Sequence, residues 1–256
     1  MRYVLFLFPL LLFLACSTDT KLDQNAAENG EAETAEPTPP PTQFHVVVIS
    51  GMDSDPTEAQ IAGKEMRGSG NSGMFQLVGD LKEKGFECSF YNWNGTEAGN
   101  GKAEDAPGAK QIADDMTLLA QETDNLEFLL VGHSWGGHTI MDVATLLKEN
   151  QLVSITKAIV VDPSSTMRGK RADSLPENIP QMDNYYTANT FCWGEWKDEQ
   201  PRINNVFLGD PENGFCVDGH PNYAGFFDWK AHVATEWDQK IHAAIIEKLE
   251  AIRSSE

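Results

Sequence analysis

Gly132-His133-Ser134-Trp135-Gly136 sets a serine between two glycines. The apolar run Phe128-Leu129-Leu130-Val131 precedes it, and Ile140, Val143, Ala144 and Leu147 recur at helical spacing after it. A buried strand therefore turns straight into an amphipathic helix at Ser134. The flanking glycines let strand and helix pack closely around a sharp turn. Such a turn presents the Ser134 hydroxyl beside the positive end of the new helix. A serine hydroxyl is a poor nucleophile until a base removes its proton. An imidazole can be that base when a carboxylate holds it in one tautomer. The chemistry is then attack on a carbonyl carbon, and backbone donors facing the developing oxyanion lower the barrier by about 2.7–4 kcal/mol each.

The elements that must position these groups alternate along the chain. His45 to Ser50 is β-branched and almost continuously apolar, as a strand covered on both faces should be. Met74, Leu77, Val78 and Leu81 mark a helix that Gly85 stops. Phe86 to Trp93 reads as a second strand, Ile112, Met116 and Leu119 as a helix, and Ile155 to Val161 as a fourth strand. Tyr185 to Trp193 and Ile203 to Leu208 are weaker strands, and Ile241, Ala244, Ile245, Leu249 and Ile252 stripe a closing helix. Repeated strand–helix–strand units predict an α/β fold: a mostly parallel central sheet with helices on both faces. Reactive residues in such sheets gather at the carboxyl ends of the strands. Here those are Gly51-Met52-Asp53, Gly95, Gly132 to Gly136, Asp162-Pro163 and the loops after Trp193 and Leu208.

The strand, G-x-S-x-G and helix in this order resemble the α/β-hydrolase superfamily, in particular its lipase- and esterase-like branch, over about Phe44 to the C-terminus. The resemblance implies a serine–acid–histidine triad in that chain order, an oxyanion hole of backbone N–H groups and no cofactor. The family's histidine stands on the approach to the closing helix, which points to His232; His220, in a turn, is the alternative. His133 is read as structural, inside the motif itself. Two Asp-Pro steps end strands and compete for the acid. Asp162 is favoured because its strand is cleaner, and Asp210, on the later strand that most of the superfamily uses, remains the alternative. The oxyanion donors map to the backbone amides of Met52 and Trp135. No large cap domain is expected between Asp162 and Tyr185. The substrate implied is a small-molecule or polymeric carboxylic ester. Thioesters, amides and peptides use the same machinery, and a hydrolase-fold binding protein without turnover has the same sequence pattern.

The N-terminus describes where such a protein works. Arg2, an apolar run from Val4 and a small residue at Ala15 read as an exported signal over residues 1–15. Phe13-Leu14-Ala15-Cys16 resembles the bacterial lipoprotein lipobox, which implies lipid on Cys16 and a membrane anchor in the cell envelope. Residues 16–43 then read as a tether, with Asp19, Asp23, Glu28, Glu31, Glu33 and Glu36 against Lys21 and a closing Pro37-Thr38-Pro39-Pro40-Pro41. Residues 44–256 form the hydrolase-like domain. The chain of 256 residues holds 19 basic and 39 acidic side chains, a formal net charge of −20, which argues against a nucleic-acid groove. An exported location permits disulfides. Cys192 and Cys216 flank a turn-rich stretch and are expected to pair, while Cys88, in an apolar strand, is expected to be a buried free thiol. No Cys/His spacing resembles a zinc site.

Overall fold

A computed structural model of the protein describes residues 41–51, 72–92, 107–164, 174–196, 201–215 and 223–255. Its strands are β1 (Gln43–Ser50), β2 (Glu87–Asn92), β3 (Leu126–His133), β4 (Ser154–Val161), β5 (Met182–Tyr186) and β6 (Ile203–Phe207). Its helices are α1 (Gly73–Glu83), α2 (Pro107–Glu122), α3 (Trp135–Leu146), α4 (Trp229–Trp237) and α5 (Gln239–Ser254), with a short 3-10 turn at Pro211–Asn213. The strands form one sheet in the order β2-β1-β3-β4-β5-β6, and every neighbouring pair is parallel.

The near-continuous apolar strands are explained by burial on both faces. Val46 and Val48 of β1, Leu129 and Val131 of β3, and Ile159 and Val161 of β4 face one core with Leu77 and Leu81 of α1, Trp237 of α4, and Ile241, Ile245 and Leu249 of α5. Their alternating neighbours Val47, Ile49, Phe128, Leu130, Ala158 and Val160 face a second core with Ile112 and Met116 of α2 and Ile140, Val143 and Ala144 of α3. Helices thus cover both faces, as the sequence pattern predicts. Among the described residues no helix is long and apolar enough to cross a membrane.

The later half of the sheet departs from expectation. The strand expected over Tyr185 to Trp193 is instead β5, Met182–Tyr186, and the chain from Thr187 onward is loop. Polar side chains hold this part of the sheet together. Asn184 Nδ2 donates to Asn205 Oδ1 at 2.8 Å and to Gly194 O at 2.9 Å, and Asn205 Nδ2 donates to Trp196 O at 2.8 Å. The described part of the segment expected to lack a cap, residues 174–181, forms no helix and turns Leu175 and Ile179 into the second core. Arg202 secures it, donating to the carbonyls of Leu175, Pro176 and Ile179.

After β1 the chain turns one way to β2, then returns past β1 to β3 and onward in the other direction. The crevice at that reversal lies between the carboxyl ends of β1 and β3, where ligands of open parallel sheets sit. The start of α3 is pressed against the end of β1 there. A Cβ on Gly136 would stand 2.2 Å from Ile49 O and 2.7 Å from Ser50 O, both backbone atoms that cannot swing aside. Gly136→Ala should therefore destabilise the fold by about 3 kcal/mol or more, at the upper end of overpacking costs. Urea unfolding checks this; a variant as stable as the wild type would show that α3 does not need this close approach.

Candidate active site

Ser134 stands between the end of β3 and the start of α3 with φ 54° and ψ −122°, a strained conformation for a residue with a side chain. Its N–H donates to Val161 O at 3.0 Å, and its own carbonyl accepts from Ser164 N–H at 3.1 Å, so the turn is pinned to β4 and its exit. Gly51 lies close against this turn: a Cβ there would stand 2.7 Å from Ser134 Cβ.

Asp162 follows β4, also with positive φ (43°), and its N–H donates to Tyr185 O at 2.7 Å. Its side chain is wholly buried. Oδ1 accepts from Thr187 N–H at 2.9 Å and from Thr187 Oγ1 at 2.8 Å. Oδ2 lies 2.7 Å from His232 Nδ1. Burial pushes the Asp162 carboxyl up, but the hydrogen bond and charge of His232, with Thr187 and Cys192, outweigh it and hold the group below the ordinary carboxylate range. An ionised carboxylate only accepts, so His232 Nδ1 carries a proton toward Asp162. Nε2 is 2.9 Å from Ser134 Oγ. The structure therefore brings Ser134, His232 and Asp162 into one chain of hydrogen bonds.

His232 does not lie on a loop leading into the closing helix, as expected. It sits inside α4, which Asp228 caps by accepting from Ala231 N–H at 3.0 Å, and Asp238 separates α4 from α5. Residues 231–237 of α4 are all buried, so over that stretch no side of the helix faces solvent. That removes the periodicity by which a sequence announces an amphipathic helix.

The alternatives lie elsewhere. Asp210 caps the 3-10 turn after β6, accepting from Glu212 N–H at 2.9 Å. His220 and the expected oxyanion donor Met52 fall outside the described residues, as do Cys16, Trp93 and Cys216. Trp135 is the first residue of α3, next to Ser134. The expected pairing of Cys192 with Cys216 is corrected: Cys192 is a free thiol. Its Sγ lies 3.1 Å from Asp162 Oδ2 and 3.2 Å from His232 Nδ1, so it is directed inward rather than across the turn-rich stretch. Cys88 is a free, half-buried thiol, which burial pushes up to about 11.

Among the described residues, Asp162, Cys192 and His232 also form a group whose donor atoms lie within 4.8 Å of one another, compact enough for a metal ion. Hydrogen bonds among the three already account for that closeness.

Two rings flank His232. His133 stacks on it, with ring centroids 4.9 Å apart, and its Nε2 lies 3.3 Å from His232 O. Behind His133, Glu236 Oε2 stands 3.8 Å from its Nδ1, and Glu236 Oε1 accepts from Ser72 Oγ. On the outer side, Trp229 packs at 4.9 Å from the His232 ring and is itself 48% exposed. Phe191, Phe226 and Phe227 are exposed too, Phe227 touching both of the others. Trp135 and Trp196, by contrast, are buried packing residues. Thr187 had no signal at all, because nothing in a lone threonine marks it as a carboxylate partner.

No protein-family model and no curated protein matches the chain. Solved structures similar to it include a protein from Xanthomonas campestris pv. campestris provisionally named a hydrolase of the alpha/beta superfamily (14% identity, 81% of this chain and 98% of that one, TM-score 0.41). Another, from Lactobacillus plantarum, is provisionally named a cell surface hydrolase (11% identity, 84% and 92%, TM-score 0.43). A third is a cutinase-like protein from Cryptococcus sp. (12% identity, 82% and 94%, TM-score 0.42).

Burial lowers the His133 imidazole to about 3, with the charge of His232 adding to the effect. Unfolded, the same ring takes a proton near its ordinary value of 6.5. Between those values the unfolded state holds a proton that the folded state does not, so stability falls as pH drops through that window, by about 1.4 kcal/mol per pH unit. His133→Gln should remove that slope. Urea melts at about pH 7 and about pH 5 read the difference; an unchanged slope would mean that His133 does not stay neutral in the fold.

Proposed function

We propose that the protein is an exported, lipid-anchored serine hydrolase of carboxylic esters, with Ser134 as nucleophile, His232 as base and Asp162 as the acid that orients it. The observation that carries this reading is His232 Nε2 at 2.9 Å from Ser134 Oγ while its Nδ1 is 2.7 Å from Asp162 Oδ2. In this reading Nε2 takes the Ser134 proton as Oγ bonds to the ester carbonyl carbon. The imidazolium is stabilised by the ionised Asp162 across the Nδ1–H bond. The carbonyl oxygen becomes an oxyanion beside the backbone amide of Trp135, at the positive end of α3, and the family resemblance assigns the second donor to Met52. Collapse expels the alcohol, which takes the proton from Nε2–H and leaves an acyl-serine. Water, deprotonated by the same nitrogen, bonds to the acyl carbon; Ser134 Oγ then leaves, takes that proton back from Nε2, and the acid is released.

The exposed Trp229 beside His232 favours an ester with an apolar acyl or alcohol group. The lipobox-like Phe13-Leu14-Ala15-Cys16 and the acidic, proline-ended tether support an anchor in the bacterial cell envelope.

A fluorophosphonate should label Ser134, and Ser134→Ala should lower release of p-nitrophenol from acyl esters on the order of a thousandfold or more. Equal rates for wild type and Ser134→Ala would favour a binding protein without turnover. Separately, Cys16→Ser should move the protein from the membrane to the soluble fraction; unchanged fractionation would remove the lipid anchor from the reading.

A further inference from the structure

The thiol of Cys192 is far more deeply engaged than a spare cysteine needs to be. The loop that carries it is clipped to the exit of β4. Ser164 and Cys192 form an isolated antiparallel bridge. Trp193 N–H donates to Pro163 O at 2.8 Å, and Ser164 Oγ donates to Phe191 O at 2.8 Å. Within the loop, Asn189 accepts twice: its carbonyl from Cys192 N–H at 3.1 Å and its Oδ1 from Phe191 N–H at 3.1 Å. Asn189 Nδ2 in turn donates to Asp228 O at 2.9 Å, and Asp228 caps the helix that holds His232. The loop is therefore tied both to the strand end that carries Asp162 and to the helix that carries His232, with residue 192 between them.

The direction of the thiol proton follows from its neighbours. His232 Nδ1 carries its own proton toward Asp162, so it offers no lone pair to the thiol. Asp162 Oδ2, 3.1 Å from Sγ, does. Burial and the negative charge of Asp162 both push the thiol up, so it keeps its proton at neutral pH. A protonated, half-buried thiol is a poor nucleophile and a poor metal ligand, but it can still donate a hydrogen bond.

We propose that Cys192 is a positioning residue for the ester-cleaving reaction: its S–H holds the same Asp162 oxygen that orients His232. This rests on the proposed hydrolase reading. With Thr187 gripping Oδ1 and Cys192 braced on Oδ2, the carboxylate can neither rotate nor drop back from Nδ1. Lateral movement of that oxygen would tilt the imidazole and lengthen the contact from Nε2 to Ser134.

The test uses two variants of nearly equal volume. Cys192→Ala removes the donor; Cys192→Ser keeps one; both leave a similar gap in packing. Cys192→Ala should lower kcat about tenfold, the size expected for losing one hydrogen bond to a charged group, with KM within about twofold of wild type. Cys192→Ser should recover most of kcat. The far-downfield NMR signal of the His232 Nδ1 proton should shift in Cys192→Ala and return toward its wild-type position in Cys192→Ser. That signal is read without turnover, so it tests the contact even if fluorophosphonate leaves wild-type Ser134 unlabelled and the hydrolase reading itself fails. A Cys192→Ala variant with wild-type kcat and an unmoved resonance would overturn the proposal. So would equal losses in both variants, which would make Cys192 a packing residue. Should Cys192→Ala not fold, the infrared S–H band that disappears in Cys192→Ser decides. A band displaced well below that of Cys88, whose thiol makes only a long 3.5 Å contact to Phe86 O, supports the proposal; a band at the same frequency overturns it.

Discussion

Asp162 is an ionised carboxylate with no exposed surface, and the region around it is organised to make that tolerable. A buried charge without partners costs several kcal/mol, more than most single contacts return. Its oxygens are met by donors from separate parts of the chain: Thr187 after β5, Cys192 on the loop beyond it, and His232 on α4. Each donor must be held by something else. The Asn184–Asn205 pairing secures β5 against β6, the Ser164–Cys192 bridge secures the loop, and the Asp228 cap secures the helix. The polar character of the sheet's later half thus continues into the loops that grip Asp162.

The same constraint accounts for the backbone strain. Ser134 and Asp162 both adopt positive φ, at the carboxyl ends of adjacent strands. Such conformations cost about 1–3 kcal/mol each and persist only where the surroundings leave no alternative. Here the restraint is mutual. Ser134 N–H is held by the end of β4, Ser134 O holds Ser164 just beyond Asp162, and Asp162 N–H is held by β5. Gly51 and Gly136 remove the side chains that would otherwise prise α3 away from β1. The fold absorbs the strain through a rigid parallel sheet buried on both faces, and the proposed nucleophile and acid are its points of delivery.

A second polar layer lies behind the first. Ser72 at the start of α1, Glu236 on α4 and His133 on β3 connect the packing of α1 and α4 to the back of the His232 ring. His133 is structural, as the sequence reading has it, but in a particular way: it is a neutral aromatic floor for the imidazole and a partner for the His232 carbonyl. A protonated ring in that place would repel the charged form of His232, so its burial serves the neighbour as well as the core.

The residues alone determined the elements whose signals are local. The apolar strands β1, β3 and β4, the amphipathic helices α1, α2, α3 and α5, and the strand–serine–helix turn follow from hydrophobic periodicity and from glycine, because a strand buried on both faces or a helix with one buried stripe writes its environment into consecutive residues. The order of those elements was enough for a parallel α/β sheet. Other features were decided only in three dimensions. β5 escapes the hydrophobic pattern because its interior holds Asp183 and Asn184, whose polarity is satisfied by partners distant in sequence. α4 has no periodicity because its residues 231–237 are buried on every side. Which aspartate meets His232 depends on strand order, since Asp162 and Asp210 end their strands with the same Asp-Pro step. The exported context and the turns between Cys192 and Cys216 suggest a disulfide, whereas the Cys192 thiol meets a carboxylate thirty residues earlier, brought close by the pairing of a loop with the end of β4. Local pattern records what an element buries; only packing between elements determines which polar groups meet, because a hydrogen bond across the fold leaves no period in the chain.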